Sequence, residues 1–273
     1  MVVAGMDELL RSRELTANLV RRDLKVRHRG TFLGMLWSLT TPLLLVGLYY
    51  FIFTYIFKVK TVPDAVRSDG TEVPFAIFFF GGLVIWNLFA TAVGSSTGSI
   101  IGSGYLLNKV YFPRAVLPLA TVLSCLVTCA FEMSVLFAAT LLFVGLPNAQ
   151  VLWLPVIVLI GVTLAFGLAL LLSAVTVFLR DVAHFIGVFL QLWFWGTPII
   201  YSMSFVQTNS PGMVRVLELN PMTGVVVSFR NVVMLNRPPD YKLLLYDAGV
   251  AVVALFVGAK VFGRWQKLFS EIV

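Results

Sequence analysis

Six stretches of the chain are almost free of charged side chains, and each is long enough to cross a lipid bilayer. They cover residues 30–57, 73–108, 115–144, 152–179, 182–203 and 243–262. A spanning helix needs about 20 mostly apolar residues, because each residue rises ~1.5 Å and the hydrocarbon core is ~30 Å thick. Asp247 and Lys260 lie near the two ends of the last stretch, from where both side chains can reach an interface. The pattern predicts six transmembrane helices.

The composition of the chain supports a membrane protein. Charged residues make up 12% of its 273 residues, which is about half of the roughly 25% that soluble domains carry. We therefore expect an all-α integral membrane protein. Residues 1–30 are predicted to form a cytoplasmic amphipathic interface helix, and residues 31–273 a single six-helix transmembrane domain. Cys125 and Cys129, four residues apart in an apolar run, are expected to pack as small apolar side chains and to form no disulfide.

The positions of the basic residues predict that both termini are cytoplasmic. In that orientation the inner segments contain 13 Lys and Arg residues and the outer segments contain 7. Basic residues near the ends of spans favour the cytoplasmic side of the membrane. The net charge of +7 fits anionic lipid headgroups or a phosphorylated substrate better than nucleic acid, because the charges bracket apolar runs.

The N-terminal segment 7–29 has the pattern of an amphipathic helix. At 100° per residue, a charged stripe lies along one face and leucines and a valine occupy most of the rest. The stripe contains Asp7, Arg11, Glu14, Arg21, Arg22, Lys25 and Arg29. Such a helix is suited to the headgroup plane of a membrane. The pattern fits either a topology anchor or a contact with substrate or partner.

Two further segments, which lie between predicted spans, have features that an ordinary connecting loop does not need. Residues 102–118 are cytoplasmic in this topology and fit either a short helix facing a cytoplasmic partner or an ordinary loop. Residues 205–239 lie outside and contain the mostly apolar piece 222–235. An apolar piece of ~10–14 residues is too short to span a membrane and is often re-entrant.

Small residues recur every four positions in two of the predicted spans. One series is Gly94, Gly98 and Gly102, and the other comprises Gly161, Ala165, Ala169 and Ser173. Small residues at this spacing let helix backbones approach closely. We expect these residues to pack helices together within one subunit. The alternative is that they form an interface between two copies of the chain.

The residues offer little support for catalysis. The chain has no GxxxxGK[ST] loop for ATP phosphates, no HExxH motif, and no GxSxG nucleophile elbow at a strand-to-helix turn. Glu132, about 17 residues into the third span, should face protein or water. It is expected either to contact a substrate or proton, or to bond to a neighbouring helix. Aromatic rings that could offer flat faces to sugars are Tyr49, Tyr50, Trp86, Phe89, Trp193 and Trp195.

Four segments in chain order resemble the type-2 ABC permeases that export polysaccharide, the group of the O-antigen, capsule and teichoic acid exporters. They are RDLKVRHRGTFLGMLWSL at 22–39 with Pro42, KVYFPRAVLP at 109–118, FLRD at 178–181 with PIIY at 198–201, and Asn220-Pro221 with Arg230. The likeness runs from about residue 11 to residue 272. Each motif alone is weak, but four in this order on a six-span frame form a specific signal.

The resemblance implies a channel of two permease copies, driven by two copies of a separate cytoplasmic ATPase. ATP and Mg would then be bound by the ATPase, and this chain would need no cofactor. The segment between spans two and three would be a coupling helix. The implied ATPase-coupling residues are Asn108, Lys109, Tyr111, Phe112, Arg114, Arg180 and Asp181. Gate helices at the outer exit would lie within 205–235 and include Asn220, Pro221 and Arg230.

In this family the cargo is a polymer on a polyprenyl pyrophosphate lipid. Guanidinium and ammonium groups pair well with phosphate oxygens. The resemblance therefore implies that Arg22, Lys25, Arg27, His28 and Arg29 contact the pyrophosphate near the channel entrance. The alternatives are a type-2 ABC exporter of a small molecule or drug, a proton-coupled carrier, and a structural scaffold.

Overall fold

The computed structural model describes residues 12–27, 37–59, 61–107 and 112–272, and most of them are helical. The first six helices are α1 Arg13–Arg27, α2 Trp37–Phe51, α3 Phe75–Thr97, α4 Gly104–Leu107, α5 Val116–Phe143 and α6 Leu154–Phe178. The others are α7 Val182–Trp195, α8 Met203–Asn209, α9 Pro211–Glu218, α10 Thr223–Val233, α11 Tyr241–Trp265 and α12 Phe269–Ile272. A π-helical segment, Ile52–Ile56, extends α2, and 3-10 segments lie at Ile101–Ser103, Ala149–Trp153 and Gln266–Leu268.

Five helical segments are long and apolar enough to cross a membrane. They are Trp37–Ile56, Phe75–Thr97, Val116–Phe143, Ala149–Phe178 and Tyr241–Leu268. This confirms the prediction of a predominantly helical, multi-pass membrane protein. The predicted span 182–203 differs, because its helix α7 has only 14 residues and ends at Trp195. Pro198 supplies no backbone N–H and restricts the residue before it, so the helix stops there.

The predominantly helical chain also contains a short β-hairpin. Thr61–Val66 (β1) pairs antiparallel with Glu72–Pro74 (β2), with Thr61 opposite Pro74 and Val66 opposite Glu72. Gly70 lies in the connecting turn at φ +88°, a conformation that glycine adopts without a steric penalty. The Thr71 N–H donates to the Asp69 carboxylate over 3.0 Å, and this bond holds the pKa of Asp69 below its ordinary value.

The main core surrounds α3, whose residues are largely buried between α5, α6, α7 and α10. The small-residue series of α6 faces this interior, since Ala165, Ala169 and Ser173 are fully buried. This series therefore packs within one subunit, as we expected. Cys125 and Cys129 are likewise buried as free thiols.

The tightest helix crossing joins α6 and α11 through two glycines. A methyl group added at Gly167 would lie 2.5 Å from the backbone nitrogen of Leu255, and one added at Gly258 would collide with the Gly167 carbonyl. Backbone meets backbone at this crossing, so no side chain fits between the helices.

Contacts between distant residues define two opposite ends of the bundle. At one end, which we call the α1 end, Phe178 contacts Trp265 edge-on with ring centroids 5.1 Å apart. At the other, the hairpin end, Trp153 contacts Tyr241 edge-on at 5.5 Å. The β-hairpin lies at the hairpin end, where the Arg67 guanidinium donates to the Val144 carbonyl over 2.9 Å.

Candidate functional site

Helix α1 packs against the bundle with one face and leaves its basic face exposed. Leu19 and Thr16 are buried, and Leu19 contacts the cluster that the ends of α5, α6 and α11 form. Arg22 and Lys25 point to the exposed side. Arg27 ends the helix, whereas His28 and Arg29 lie outside the described residues.

Of the two predicted pyrophosphate contacts on the exposed side of α1, Arg22 is paired within the described residues and Lys25 is not. Arg22 bonds to its neighbour Asp23 over 3.0 Å, and an exposed pair of this kind stabilises the fold by at most about 1 kcal/mol. The helix therefore presents Lys25 and a weakly held guanidinium at the α1 end. A phosphate group can compete with Asp23 for that guanidinium, because phosphate offers several strong acceptor oxygens.

The predicted ATPase-coupling residues lie at the α1 end wherever they are described. Phe112 packs partly buried against the cluster around Leu19, and Arg114 donates to the backbone carbonyl of Gln266. Arg180 and Asp181 are exposed in the turn between α6 and α7. Asn108, Lys109 and Tyr111 lie outside the described residues.

An open cleft of about 330 Å³ lies between segments at the α1 end. Ile101 and Tyr105 line it from the segment after α3, and Val177 and Arg180 line it from the end of α6. The structure thus brings Arg180 next to the segment that leads into the predicted coupling helix, although about 75 residues separate them in sequence.

The six candidate aromatic rings occupy three different environments. Trp86, Phe89 and Trp193 form one cluster, in which Phe89 and Trp193 contact edge-on at 5.1 Å. Trp86 and Phe89 are buried within the chain. Tyr49 contacts Phe79 at 4.8 Å. Tyr50 stacks on Phe143 at 5.8 Å, and Trp195 is 62% exposed at the end of α7.

Asn220 connects the start of α10 to the end of α7. Its side-chain oxygen accepts from the Trp193 indole N–H over 2.8 Å and from the Met222 backbone N–H over 3.0 Å. Its amide nitrogen donates to the Gly196 carbonyl over 2.8 Å and to the Thr197 hydroxyl over 2.9 Å. The following Pro221 is half-buried and leads the chain into α10. One amide side chain thus holds the turn that ends α7.

Arg230 lies in the last turn of α10 and is buried by protein. Its guanidinium donates to the Phe78 carbonyl over 3.0 Å, to the Pro198 carbonyl over 2.6 Å, and to the Ile199 carbonyl. It also lies 3.7 Å above the centroid of the Phe78 ring. Carbonyl dipoles and the ring face take the place of a carboxylate partner here.

Close packing of Arg230 requires a glycine on α3. A methyl group at Gly82 would lie 2.9 Å from the guanidinium carbon. The segment that follows α7 is therefore fixed to α3 through Arg230. Asn220 and Arg230, which the resemblance assigned to an outer gate, together hold the 196–199 turn, Asn220 from the turn before α10 and Arg230 from the last turn of α10.

Comparison with known proteins assigns the family. A family model described as ABC-2 type transporter matches residues 14–234. The chain belongs to the ABC-2 type transporter family. It is 33% identical over 266 residues to the O-antigen export system permease protein RfbA of Myxococcus xanthus, covering 97% of this chain and 98% of that protein. It is 30% identical over 268 residues to the protein of the same name from Klebsiella pneumoniae, covering 95% of each.

This ABC-2 family chain also contains a structural carboxylate that sequence reasoning misplaced. Asp247 is fully buried and does not reach an interface, although it lies near the end of its span. Its carboxylate accepts from the Val225 backbone N–H over 2.8 Å. The reason is the return of α10 into the bundle, which places the first turn of α10 beside α11. The short apolar length of 222–235 was the available signal for that return.

Glu132 belongs to the packing of the ABC-2 bundle. It lies on α5, and its carboxyl group interacts electrostatically with the Asn87 side chain of α3. The expected contact with a neighbouring helix thus has a polar partner in Asn87, and the expected contact with a substrate or proton stays a prediction.

Proposed function

We propose that this chain is the membrane permease subunit of an ATP-driven exporter that moves a lipid-linked polysaccharide from the cytoplasm outward. The observation that carries the proposal is end-to-end similarity to two O-antigen export permeases, with at least 95% of each chain covered. Because the similarity extends over whole chains, these proteins share the arrangement of spans and loops, and not only isolated motifs. The chain itself would catalyse no reaction.

In this proposal the α1 end faces the cytoplasm and both termini are cytoplasmic. The exposed bases of α1 and of the α11 end, including Lys25, Lys260, Arg264 and Lys267, support that orientation through the positive-inside rule. The chain would cross the membrane six times, with α7 and the segment after it as the fifth crossing. Helices α8, α9 and α10 would form the outer gate.

The conduit would lie between two copies of the chain. Phe80, Phe89, Phe229 and Leu136 are fully buried, so packed side chains fill the centre of the described bundle. A hydrated polymer does not fit through such a core. Helices α2 and α7 instead present apolar and aromatic side chains on their outer faces, including Phe51, Tyr55, Phe189 and Trp195. A homodimer would place such faces around a shared path, and the remaining apolar surface would contact lipid.

Energy would come from two copies of a cytoplasmic ATPase, which bind ATP and Mg. Phe112, Arg114, Arg180 and Asp181 lie at the α1 end and supply a surface for coupling. Arg22 and Lys25 lie at the same end and supply cationic groups for the pyrophosphate of the carrier lipid. This arrangement joins cargo recognition and energy input on one side of the membrane.

The proposal is tested by purifying the chain together with its co-expressed ATPase. We expect a complex of two permeases and two ATPases, whose ATP hydrolysis increases when a lipid-linked polysaccharide is added. Hydrolysis that responds to small amphipathic drugs and not to any lipid-linked glycan would contradict the polysaccharide assignment. Absence of a bound ATPase would contradict the proposal as a whole.

A further inference from the structure

We infer that the C-terminal turn, residues 266–272, forms part of the surface that binds the ATPase. The inference rests on the proposed function, because the ATPase is the partner proposed there. The turn comprises the 3-10 segment Gln266–Leu268 and helix α12. It lies outside residues 14–234, which the family model matches.

The first support is a direct bond between this turn and the predicted coupling segment. The Arg114 guanidinium donates to the backbone carbonyl of Gln266, 152 positions away in the chain. The same carbonyl also accepts from the Phe269 backbone N–H, so the guanidinium adds a long-range bond to a carbonyl that already closes the 3-10 segment. The coupling segment and the C-terminal turn therefore hold each other in place.

The second support is the anchoring of the turn in the bundle. Phe269 is fully buried and contacts Phe262 edge-on with ring centroids 5.3 Å apart. The surrounding cluster includes Leu19 of α1, Leu117 of α5 and Val177 of α6. Three helices and the turn share one apolar cluster. A displacement of the turn therefore also displaces the side chains of α1 and α5 that pack in this cluster.

The third support is the composition of the cleft at the α1 end. Ile272 lines it together with Ile101, Tyr105 and Arg180. Tyr105 is 71% exposed and Ile272 is 44% exposed, so apolar surface and a guanidinium are available side by side. Tyr and Arg in such a setting are typical of energetically important positions in protein interfaces.

The chemistry of the cleft specifies its occupant. Arg180 can pair with a carboxylate, while Ile272 and Tyr105 offer contact to an apolar side chain. The exposed Arg264 in the last turn of α11 and the exposed Lys267 on the C-terminal turn add positive potential at this end of the bundle. The occupant is therefore an acidic and partly apolar patch on the ATPase.

The test compares two substitutions that place a carboxylate on an exposed apolar position. In Ile272→Glu the new charge faces the acidic patch of the ATPase, and we expect the affinity of the permease for the ATPase to fall about tenfold. Leu146→Glu is the matched control, because Leu146 is 73% exposed at the hairpin end. It should bind the ATPase as the wild type does. Binding is measured by titrating labelled ATPase onto the detergent-purified permease.

A second measurement removes any dependence on the folding of a variant. A photo-crosslinking amino acid at position 272 should capture the ATPase, and the same group at position 146 should not. Equal affinity of Ile272→Glu and wild type, or crosslinking of position 272 to lipid alone, would overturn the inference. A wild-type permease that binds no ATPase would instead contradict the proposed function, so the two failures are distinguishable.

Discussion

The Asp247 carboxylate of α11 accepts a hydrogen bond of 2.8 Å from the backbone N–H of Val225, in the first turn of α10. The first N–H groups of a helix have no partner within the helix, and the partial positive charge of that end favours a carboxylate. Gly224 makes the approach possible, since a methyl group there would lie 2.7 Å from both Asp247 and Leu243. One carboxylate on a spanning helix thus holds the short helix that returns into the bundle.

Replacing Asp247 with leucine should destabilise the protein. The buried N–H of Val225 would lose its acceptor, which costs about 1–3 kcal/mol. We expect a lower Tm of the purified protein in detergent. Asp247→Asn is the matched variant, because its amide oxygen can still accept the bond, and its Tm should fall less. A leucine variant that melts with the wild type would show that this contact does not hold α10.

The glycine crossing of α6 and α11 should tolerate no added methyl group. Gly258→Ala would push the two backbones apart at Gly167, and overpacking of this kind costs about 1–3 kcal/mol. Gly263→Ala on the same helix meets nothing within 4 Å and should be neutral or stabilising by up to about 1 kcal/mol. Thermal unfolding of both variants measures the difference. Equal Tm values would contradict the close crossing.

Loss of the Asn220 side chain should loosen the turn that ends α7. Asn220→Ala removes bonds to Trp193, Gly196, Thr197 and Met222. These bonds are exposed or partly buried, and each contributes about 0.5–1.5 kcal/mol, so their joint loss should raise amide hydrogen exchange in 196–202 at least about tenfold. Export should decline as well. Asn209→Ala is the control, because within the described part of the chain the Asn209 side chain bonds to Phe205 alone, so this variant should leave that exchange rate unchanged.

Neutralising the exposed bases of α1 should impair export without preventing assembly. In the double variant Arg22→Ala, Lys25→Ala, the cationic groups proposed for the pyrophosphate are reduced, while the buried face with Leu19 is kept. We expect at least a severalfold rise in the concentration of lipid-linked glycan that half-stimulates ATP hydrolysis. The double variant Arg215→Ala, Lys242→Ala removes two exposed bases outside the α1 end and should not change that concentration. If the two double variants need equal concentrations of lipid-linked glycan for half-stimulation, the proposed role of α1 in headgroup binding is contradicted.

Much of the helical frame was predictable, because a bilayer imposes a length and an apolar composition on each span. Helices α3, α5 and α6 lie where uncharged stretches of sufficient length placed them. The short helix α10 was also predictable, since its apolar piece is too short to cross. These features depend on local composition, which a single sequence displays directly.

The β-hairpin was not predictable in the same way. Residues 58–72 contain several charges and read as a loop. The strands are held by contacts from far along the chain, namely Arg67 to the Val144 carbonyl and Arg237 to the Val66 carbonyl. Only the fold brings these groups together, so no local pattern shows them.

For the candidate site, residue types were easier to predict than their surroundings. Asn220 and Arg230 were selected from a resemblance, but the carbonyl groups that they hold belong to Phe78 and to the 196–199 turn. Trp86 and Phe89 were selected as rings that could offer flat faces to sugars, and they lie buried in the core. Whether an apolar residue faces lipid, protein or a path depends on helix rotation, and uniformly apolar spans give no signal for rotation.

The most direct test of the account is transport by the purified permease in proteoliposomes. The permease with its ATPase should move a lipid-linked polysaccharide across the bilayer when ATP is present on the α1 side. Movement should stop when the ATPase is omitted or when its ATP hydrolysis is blocked. Full transport by the permease alone, without any nucleotide-hydrolysing subunit, would contradict the account.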